Sequence, residues 1–352
     1  MLSRLPHIFS FIFLLSCNSQ SPPSTLQTAL YVYRFNPPAL VEFSEEFQQR
    51  KAIPFSIPIN CGLLNLFPAP VGVWIAVELS CPNGQTVLFL DTNSGTAIQP
   101  ITEFDSHFLA WTPDGKAVYL KADSLGNTRI LRAHTNGSED LIPITEFTYD
   151  LAPSAAEGGF SFTFSRGMGQ GSELWLAKQN EQIVEQLFAD PYHYISFARW
   201  SPDSRQIAFI KIPDTPMPFT VGELWVVDAG GSNARKLADA DAGHGYAANW
   251  SPDGEKIAFV VRENPENENA DYSSEALISN IYVVEVANGK VTQVTSFNDA
   301  RAETPSWSPD GSTLAFTVVS NGRMQVQIAD MLTGEIRNLF AESSCCPAWL
   351  RK

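Results

Sequence analysis

Three histidines occupy comparable positions in this sequence and are the first residues to consider for chemistry. His107, His193 and His244 lie four to seven residues before a tryptophan at 111, 200 or 250. Asp239 and Asp241 precede the third histidine in the stretch Asp239-Ala-Asp-Ala-Gly-His244. Imidazole and carboxylate groups bind divalent metals, so a metal site built from the three histidines is one hypothesis. The other is that they are polar loop residues in separate structural units.

Motifs that define common catalytic classes are missing from the sequence. It has no Gly-x-Ser-x-Gly, no Gly-x-x-x-x-Gly-Lys and no His-Glu-x-x-His. The Asp-x-Asp-x-Gly run at 239–243 lacks the downstream bidentate Glu of an EF-hand calcium loop. The sequence therefore favours a protein without catalytic residues or cofactor, and a divalent metal enters only under the metal hypothesis.

The elements that would position these residues are repeated. Four segments share one pattern: Trp111-Thr-Pro-Asp-Gly115, Trp200-Ser-Pro-Asp-Ser204, Trp250-Ser-Pro-Asp-Gly254 and Trp307-Ser-Pro-Asp-Gly311. Proline fixes φ at the second position of a turn, Asp suits the third, and Gly accepts the positive φ that follows. One carboxylate per turn is typical of a structural repeat, so we interpret four aspartates as turn formers: Asp114, Asp203, Asp253 and Asp310.

Each motif is followed by two alternating apolar runs, a Gly-containing turn and a last short strand, which gives four strands per unit. Weaker copies begin near residues 67, 151 and 349, so the spacings between successive units are 44, 40, 49, 50, 57 and 42 residues. Four strands at a period of about 40–50 residues predict a β-propeller, an all-β fold of four-stranded blades.

The two ends of the chain supply incomplete units. Residues 30–35 resemble a third strand, residues 40–43 a fourth, and residues 347–350 a first strand. We therefore expect the N- and C-terminal strands to share one blade and to close the ring. Seven blades are favoured, the last lacking its second strand, and six blades with a terminal flap are the alternative.

The repeated Trp-Ser-Pro-Asp-Gly signature resembles that of TolB-like propellers over roughly residues 60–350. The resemblance is specific for fold and uninformative about activity, since such blades occur in scaffolds, sensors and enzyme accessory domains alike. It implies a role in envelope organisation or assembly.

Five cysteines divide into one near the N-terminus and four in the body of the chain. In an exported protein, disulfides are expected among Cys61, Cys81, Cys345 and Cys346. Cys61–Cys81 would join one hairpin. Cys345 and Cys346 either bond to each other or cross to the first pair, and the sequence leaves the pairing open.

The N-terminus has the features of an export signal. Arg4 is followed by an apolar run of eight residues, 8–15, which is too short to span a bilayer. The run leads into Leu14-Leu-Ser-Cys17, which resembles the lipobox of bacterial lipoproteins. We expect a signal peptide at 1–16, a lipidated Cys17 with a flexible tether at 17–28, and a single propeller domain at 29–352.

The composition narrows the possible partners. A net charge of −15, from 23 basic and 38 acidic residues, excludes nucleic acid as a ligand and disfavours anionic lipid. The membrane is therefore expected to be contacted through the covalent lipid only.

Two long insertions lie at the mouth that carries the histidines. Residues 211–222 form a proline-stiffened loop with Met217 and Phe219, and residues 262–279 are rich in Glu. Functional residues tend to lie on loops of a rigid scaffold. The favoured hypothesis is an envelope scaffold that binds a protein or peptide through five residues: Met217, Phe219, Asp239, Asp241 and His244. The alternative is a metal-dependent polysaccharide lyase or hydrolase using His107, His193 and His244; the oligomeric state stays open.

Overall fold

The computed structural model describes residues 27–352 except 102–104, 125–126, 143–147, 155–159, 166–170, 178–182, 216, 218–219 and 243–246. Within these residues the chain forms 28 β-strands and two short 3-10 helices, Glu268–Asp271 and Ser274–Ala276. Neither of these helices has the length and hydropathy needed to cross a membrane. The predicted signal peptide and Cys17 lie outside the described residues.

The strands form antiparallel groups of four, here called blades, each with its first strand innermost. Blade 1 contains β4 (Gly62–Pro68), β5 (Trp74–Cys81), β6 (Gly84–Asp91) and β7 (Ala97–Ile98). Blade 2 contains β8 (Asp105–Trp111), β9 (Ala117–Ser124), β10 (Asn127–His134) and β11 (Glu139–Ile142). Blade 3 contains β12 (Thr148–Pro153), β13 (Phe160–Ser165), β14 (Ser172–Ala177) and β15 (Ile183–Asp190).

The next three blades continue in chain order. Blade 4 contains β16 (His193–Trp200), β17 (Gln206–Pro213), β18 (Val221–Asp228) and β19 (Arg235–Asp241). Blade 5 contains β20 (Asn249–Trp250), β21 (Lys256–Arg262), β22 (Ser279–Glu285) and β23 (Val291–Gln293). Blade 6 contains β24 (Arg301–Trp307), β25 (Thr313–Ser320), β26 (Arg323–Asp330) and β27 (Ile336–Asn338), and one parallel bridge, Ser279 to Arg301, links it to blade 5.

Blade 7 combines both ends of the described chain. β28 (Ser344–Arg351) pairs with β1 (Thr28–Phe35), followed by β2 (Pro38–Phe43) and β3 (Gln49–Pro54). The shared blade was predicted, but the assignment of its strands was wrong. β1 is the second strand rather than the third, and the blade is complete because β3 provides the fourth. β3 escapes sequence analysis because it is a mostly exposed edge strand, Gln-Arg-Lys-Ala-Ile-Pro.

A buried carboxylate holds the two ends of blade 7 together. Glu42 accepts hydrogen bonds from the Tyr31 hydroxyl at 2.5 Å and the Lys352 ammonium at 3.1 Å. Burial raises the pKa of Glu42, but these two hydrogen bonds outweigh it and leave the pKa below its usual range.

The hydrophobic core lies between blades rather than at one centre. Successive clusters of buried side chains join blades 2 and 3, 3 and 4, 4 and 5, 5 and 6, and 6 and 7, and the largest joins blades 7, 1 and 2. Burying one large aliphatic side chain on folding contributes ~1.5–3 kcal/mol to the stability of the folded state. Because every blade shares its apolar residues with both neighbours, stability is a property of the whole ring.

The repeated tryptophans link neighbouring blades by hydrogen bonds as well. Each indole N–H donates to a main-chain carbonyl in the preceding blade: Trp111 to Phe67, Trp200 to Ala152, Trp250 to Arg199 and Trp307 to Asn249, at 2.8–3.1 Å. The tryptophan of the repeat therefore has a polar role that hydrophobic periodicity alone does not reveal.

The repeated turns lie at one end of the propeller, which we call the lower end. Each turn aspartate accepts the hydroxyl of the Ser or Thr two residues earlier and the amide two residues later. These hydroxyl bonds lower the pKa of all four carboxyls. The opposite, upper end carries the links between consecutive blades and the loops between second and third strands.

Two disulfides fix the pairing that the sequence left open. Cys61 bonds to Cys81 across the β4–β5 hairpin, and Cys345 bonds to its neighbour Cys346 in β28. Cys346 has a φ of 63°, and its amide donates to the Thr317 hydroxyl of blade 6. The adjacent pair therefore lies at a left-handed residue of the closing strand.

Candidate functional site

Two loops of blade 4 meet at the upper end. The link between blades 3 and 4 is a tight turn in which the Tyr192 amide donates to the Asp190 carboxylate at 2.8 Å. The Asp214 amide, at the start of the loop between β17 and β18, donates to the Tyr192 carbonyl at 3.3 Å. Tyr192 is 77% exposed and Met217 is 40% exposed. Met217, which the sequence analysis singled out, and Tyr192, which it did not, are thus both exposed at the upper end. Phe219 lies outside the described residues.

The buried ammonium group of Lys211 pairs with acidic side chains beneath these two loops. Lys211 is 7% exposed, and its Nζ lies 2.7 Å from Asp190 Oδ2, 3.6 Å from Glu223 Oε2 and 4.5 Å from the centre of the Trp225 ring. Burial raises the pKa of Asp190, but the hydrogen bonds from Lys211 and His193 dominate and lower it to about 2. The exposed Tyr192 therefore lies next to a buried ion pair, which Lys211 and Asp190 form.

The two aspartates of blade 4 have different environments. Asp239 is exposed and pairs with Lys236 at 2.7 Å. Asp241, at the end of β19, is only 4% exposed. Asp239 is thus available to a partner at the upper end, whereas Asp241 belongs to the buried support; His244 lies outside the described residues.

His107 and His193 both lie at the upper end, in blades 2 and 4. His193 Nδ1 lies 3.0 Å from Asp190 in the preceding link, and His107 Nε2 lies 3.3 Å from Asp105 on its own strand. Within the described part of the chain, no hydrogen bond or ion pair joins the two histidines. Each imidazole instead has a carboxylate of its own.

His107 belongs to a compact group of possible metal ligands. Donor atoms of Asp105, His107 and Asp123 lie within 4.8 Å of one another. The group arises from strand pairing, because Asp105 is opposite Asp123 in the β8–β9 ladder and His107 is two residues further along the same face. One imidazole and two carboxylates fit a divalent cation, although Lys121 already lies 3.4 Å from Asp123.

The insertion of blade 5 is an ordered structure. The Arg262 guanidinium is nearly inaccessible, with a side chain 1% exposed; it pairs with Asp271 at 2.8 Å and donates to the carbonyl of Asn267 at 3.0 Å. Asn264 closes the insertion by donating to the Ala276 carbonyl and accepting from the Ile278 amide. On its surface the insertion presents Tyr272, which is 70% exposed, together with exposed carboxylates.

Two acidic residues near the upper end hold the inner strand of the next blade. Glu78 Oε1 accepts the Phe108 amide at 2.9 Å, and Asp150 Oδ2 accepts the Ala198 amide at 2.8 Å. Both amides lie at β-bulges of the receiving strand. Burial raises the pKa of Glu78 to about 7 and raises that of Asp150 as well. The sequence signal that they share, an acid within an otherwise apolar strand, is too common to be diagnostic.

Comparison with known proteins supports the class of the fold. Residues 189–349 match the family model of the TolB beta propeller domain. The structure is similar to TolB from Acinetobacter baumannii, with a TM-score of 0.53 and 18% identity over 90% of this chain and 79% of TolB. It is also similar to an oligogalacturonate lyase in complex with manganese, with a TM-score of 0.56 and 13% identity over 90% of this chain and 85% of the lyase.

A third similar structure is the β-propeller domain of the Trilobed protease from Pyrococcus furiosus, with a TM-score of 0.53 and 17% identity over 80% of this chain and 84% of that domain. No curated protein sequence matches the chain. At these identities the structural similarities define a β-propeller fold and nothing about chemistry.

Proposed function

We propose that this protein is a lipid-anchored scaffold of the bacterial cell envelope that binds a protein or peptide partner at its upper end. The observation that carries the proposal is the exposure of three large side chains, Tyr192, Met217 and Tyr272, at the upper end. The turn that carries Tyr192 and the insertion that carries Tyr272 are each held by a buried ion pair. Aromatic residues and methionine are enriched at protein interfaces. Loops that are already ordered lose less conformational entropy when a partner binds.

The location follows from the lipobox-like segment that ends at Cys17. Acylation of this thiol would anchor the propeller outside the cytoplasm: on the outer membrane facing the periplasm in a cell with two membranes, or on the outer face of the plasma membrane otherwise. Two or three acyl chains give stable anchoring. Mass spectrometry of the N-terminal peptide tests this part, and an unmodified Cys17 in protein from the envelope fraction overturns it.

The binding surface is tested with a paired set of variants. The partner is first identified by cross-linking in envelope membranes and then purified, and its Kd is measured for the native chain, Tyr192→Ser/Met217→Ser and Leu141→Ser. Leu141 is 60% exposed on the outer strand of blade 2 and serves as a control for loss of an exposed apolar side chain. We expect the double variant to weaken binding about tenfold or more, since interface hot spots contribute ~2 kcal/mol each, and the control to leave Kd unchanged. Equal Kd values for all three proteins overturn the proposed surface.

A second candidate function rests on the Asp105, His107 and Asp123 group. A divalent metal there would supply Lewis-acid chemistry to a polysaccharide lyase or hydrolase. Elemental analysis of purified protein tests it: stoichiometric manganese or zinc that is lost in His107→Ala supports the enzyme, and metal-free protein from metal-replete cells contradicts it. The predicted ligands His193 and His244 are tested by the corresponding alanine variants.

A further inference from the structure

Two exposed apolar side chains lie at the lower end, opposite the loops proposed to bind a partner. Leu332, in the turn between β26 and β27, is 94% exposed. Val71, in the turn between β4 and β5, is 40% exposed. Both turns belong to the lower end, because the Met331 amide donates to Ser312 of the neighbouring repeated turn and the Gly72 amide donates to Arg351 at the end of β28.

The chain enters the propeller at this same edge. Gln27 and Lys352 exchange two main-chain hydrogen bonds, at 3.1 and 2.8 Å, at the lower end of blade 7. Blade 7 is flanked by blade 6, which carries Leu332, and by blade 1, which carries Val71. Contacts connect this edge: Arg337, on the strand after Leu332, stacks over the Phe47 ring at 5.2 Å, and that ring lies 6.0 Å from Trp349.

The charge of the edge differs from that of the whole chain. Its five basic residues are Arg50, Lys51, Arg337, Arg351 and Lys352, and its seven acidic residues are Glu42, Glu45, Glu46, Asp91, Asp310, Asp330 and Glu335. The local sum is therefore 5 − 7 = −2, against −15 for the chain. An edge with so little net charge approaches a lipid surface with less repulsion than the rest of the protein would experience.

The segment between Cys17 and the propeller is short enough to hold this lower edge near the membrane. Ten residue steps separate Cys17 from Gln27, so whatever its conformation this segment reaches at most ~36 Å. From these observations we infer that the lower edge of blades 6, 7 and 1 lies on the bilayer that holds the Cys17 lipid, with Leu332 in contact with the lipid. This adds a contact of the protein itself to the contact through the covalent lipid that the composition predicts. This inference rests on the proposed lipid anchor, and it directs the partner-binding loops away from the membrane.

The test uses the full chain, acylated in cells and reconstituted in phosphatidylcholine vesicles containing brominated lipid. A single fluorescent label is placed at Leu332→Cys or, as matched control, at Ile59→Cys. Ile59 is 90% exposed but lies in the link between blades 7 and 1 at the upper end. The four cysteines of the propeller are in disulfides, so the label reacts with the introduced thiol.

We expect quenching at position 332 to be at least about threefold stronger than at position 59. Equal quenching in the acylated protein overturns the inference while leaving the anchor intact. Protection of position 332 that grows with protein density and is insensitive to brominated lipid assigns the edge to a second copy of the chain and also overturns it. Absence of acyl mass on Cys17 overturns the anchor together with this placement.

Discussion

The indole N–H of Trp307 donates to the main-chain carbonyl of Asn249, 3.1 Å away in the preceding blade. Trp349 occupies the same place in blade 7 and is buried to a similar extent, 8% exposed against 7%. Its indole N–H, however, has no partner among the described residues. The repeat thus contains a natural pair of sites that differ in one hydrogen bond.

We expect Trp307→Phe to lower the free energy of unfolding by about 1 kcal/mol more than Trp349→Phe, because only the first change breaks a hydrogen bond. Both variants lose a similar apolar volume, which makes Trp349→Phe the control. Urea unfolding followed by circular dichroism measures the difference. Equal losses would show that the Trp307 bond contributes nothing net.

Ser204 occupies the position of glycine in the repeated turn and has a φ of 57°. A left-handed conformation costs a residue with a side chain about 1–2 kcal/mol, which glycine avoids. Glycine also has more conformational entropy in the unfolded chain, and this offsets about 0.5–1 kcal/mol of the stability gained by replacing serine with glycine. We expect Ser204→Gly to stabilise the protein by roughly 0.5–1 kcal/mol and Gly254→Ser to destabilise it similarly. A Cβ at Gly254 would lie 3.6 Å from Pro202, an ordinary contact, so the reverse change isolates the conformational cost. Thermal unfolding that shifts the two variants in the same direction contradicts this reasoning.

Asp190 should stabilise the fold in a pH-dependent way. Its folded pKa of about 2 lies below the unfolded value, so its contribution is complete above that unfolded value and is lost as the pH falls through the folded one. We expect Asp190→Asn to cost about 2 kcal/mol at pH 7, because the buried Lys211 loses its nearest counter-ion. The difference from the native protein should shrink between about pH 5 and pH 2. A difference that stays constant over this range would exclude the ionised carboxylate as its source.

Glu78 should make the stability of the fold depend on pH in the opposite direction. Burial raises its pKa to about 7, so the folded state favours the protonated form, and stability is lost as the pH rises from the unfolded pKa through pH 7. Glu78→Gln keeps an oxygen that can accept the Phe108 amide but carries no charge. We expect this variant to be more stable than the native protein by about 2–3 kcal/mol at pH 8 and equal to it near pH 4. A variant less stable at pH 8 would mean that the ionised carboxylate is required.

Local chemistry made most of the fold predictable. The Pro, Asp and Gly of the repeated turn determine the conformation of their own backbone, so the turn can be predicted from local sequence alone. The spacing between these turns then predicts the blades. The strand that sequence analysis missed, β3, is mostly exposed and carries Gln49, Arg50 and Lys51. An edge strand is defined by its pairing with β2, which hydrophobic alternation does not report.

The candidate site was less predictable because its contacts cross between strands and blades. The sequence grouped His107 with two distant histidines, whereas the structure gives it Asp105 and Asp123, the latter through strand register. Lys211 and Asp190 are twenty-one residues apart, and nothing in their local sequences marks them as partners. The exposure of Met217 agrees with the expectation from its proline-rich loop, whereas its role in binding stays a prediction.

The pairing of Thr28–Phe35 with Ser344–Arg351 sets an order for the maturation of the protein. β1, the first strand of the described residues, has no inner neighbour until the eight-residue strand β28 has been synthesised. The ring of blades therefore cannot close before residues 344–351 have been synthesised. A product of interrupted synthesis would retain a bare strand edge, the kind of surface that chaperones and proteases recognise.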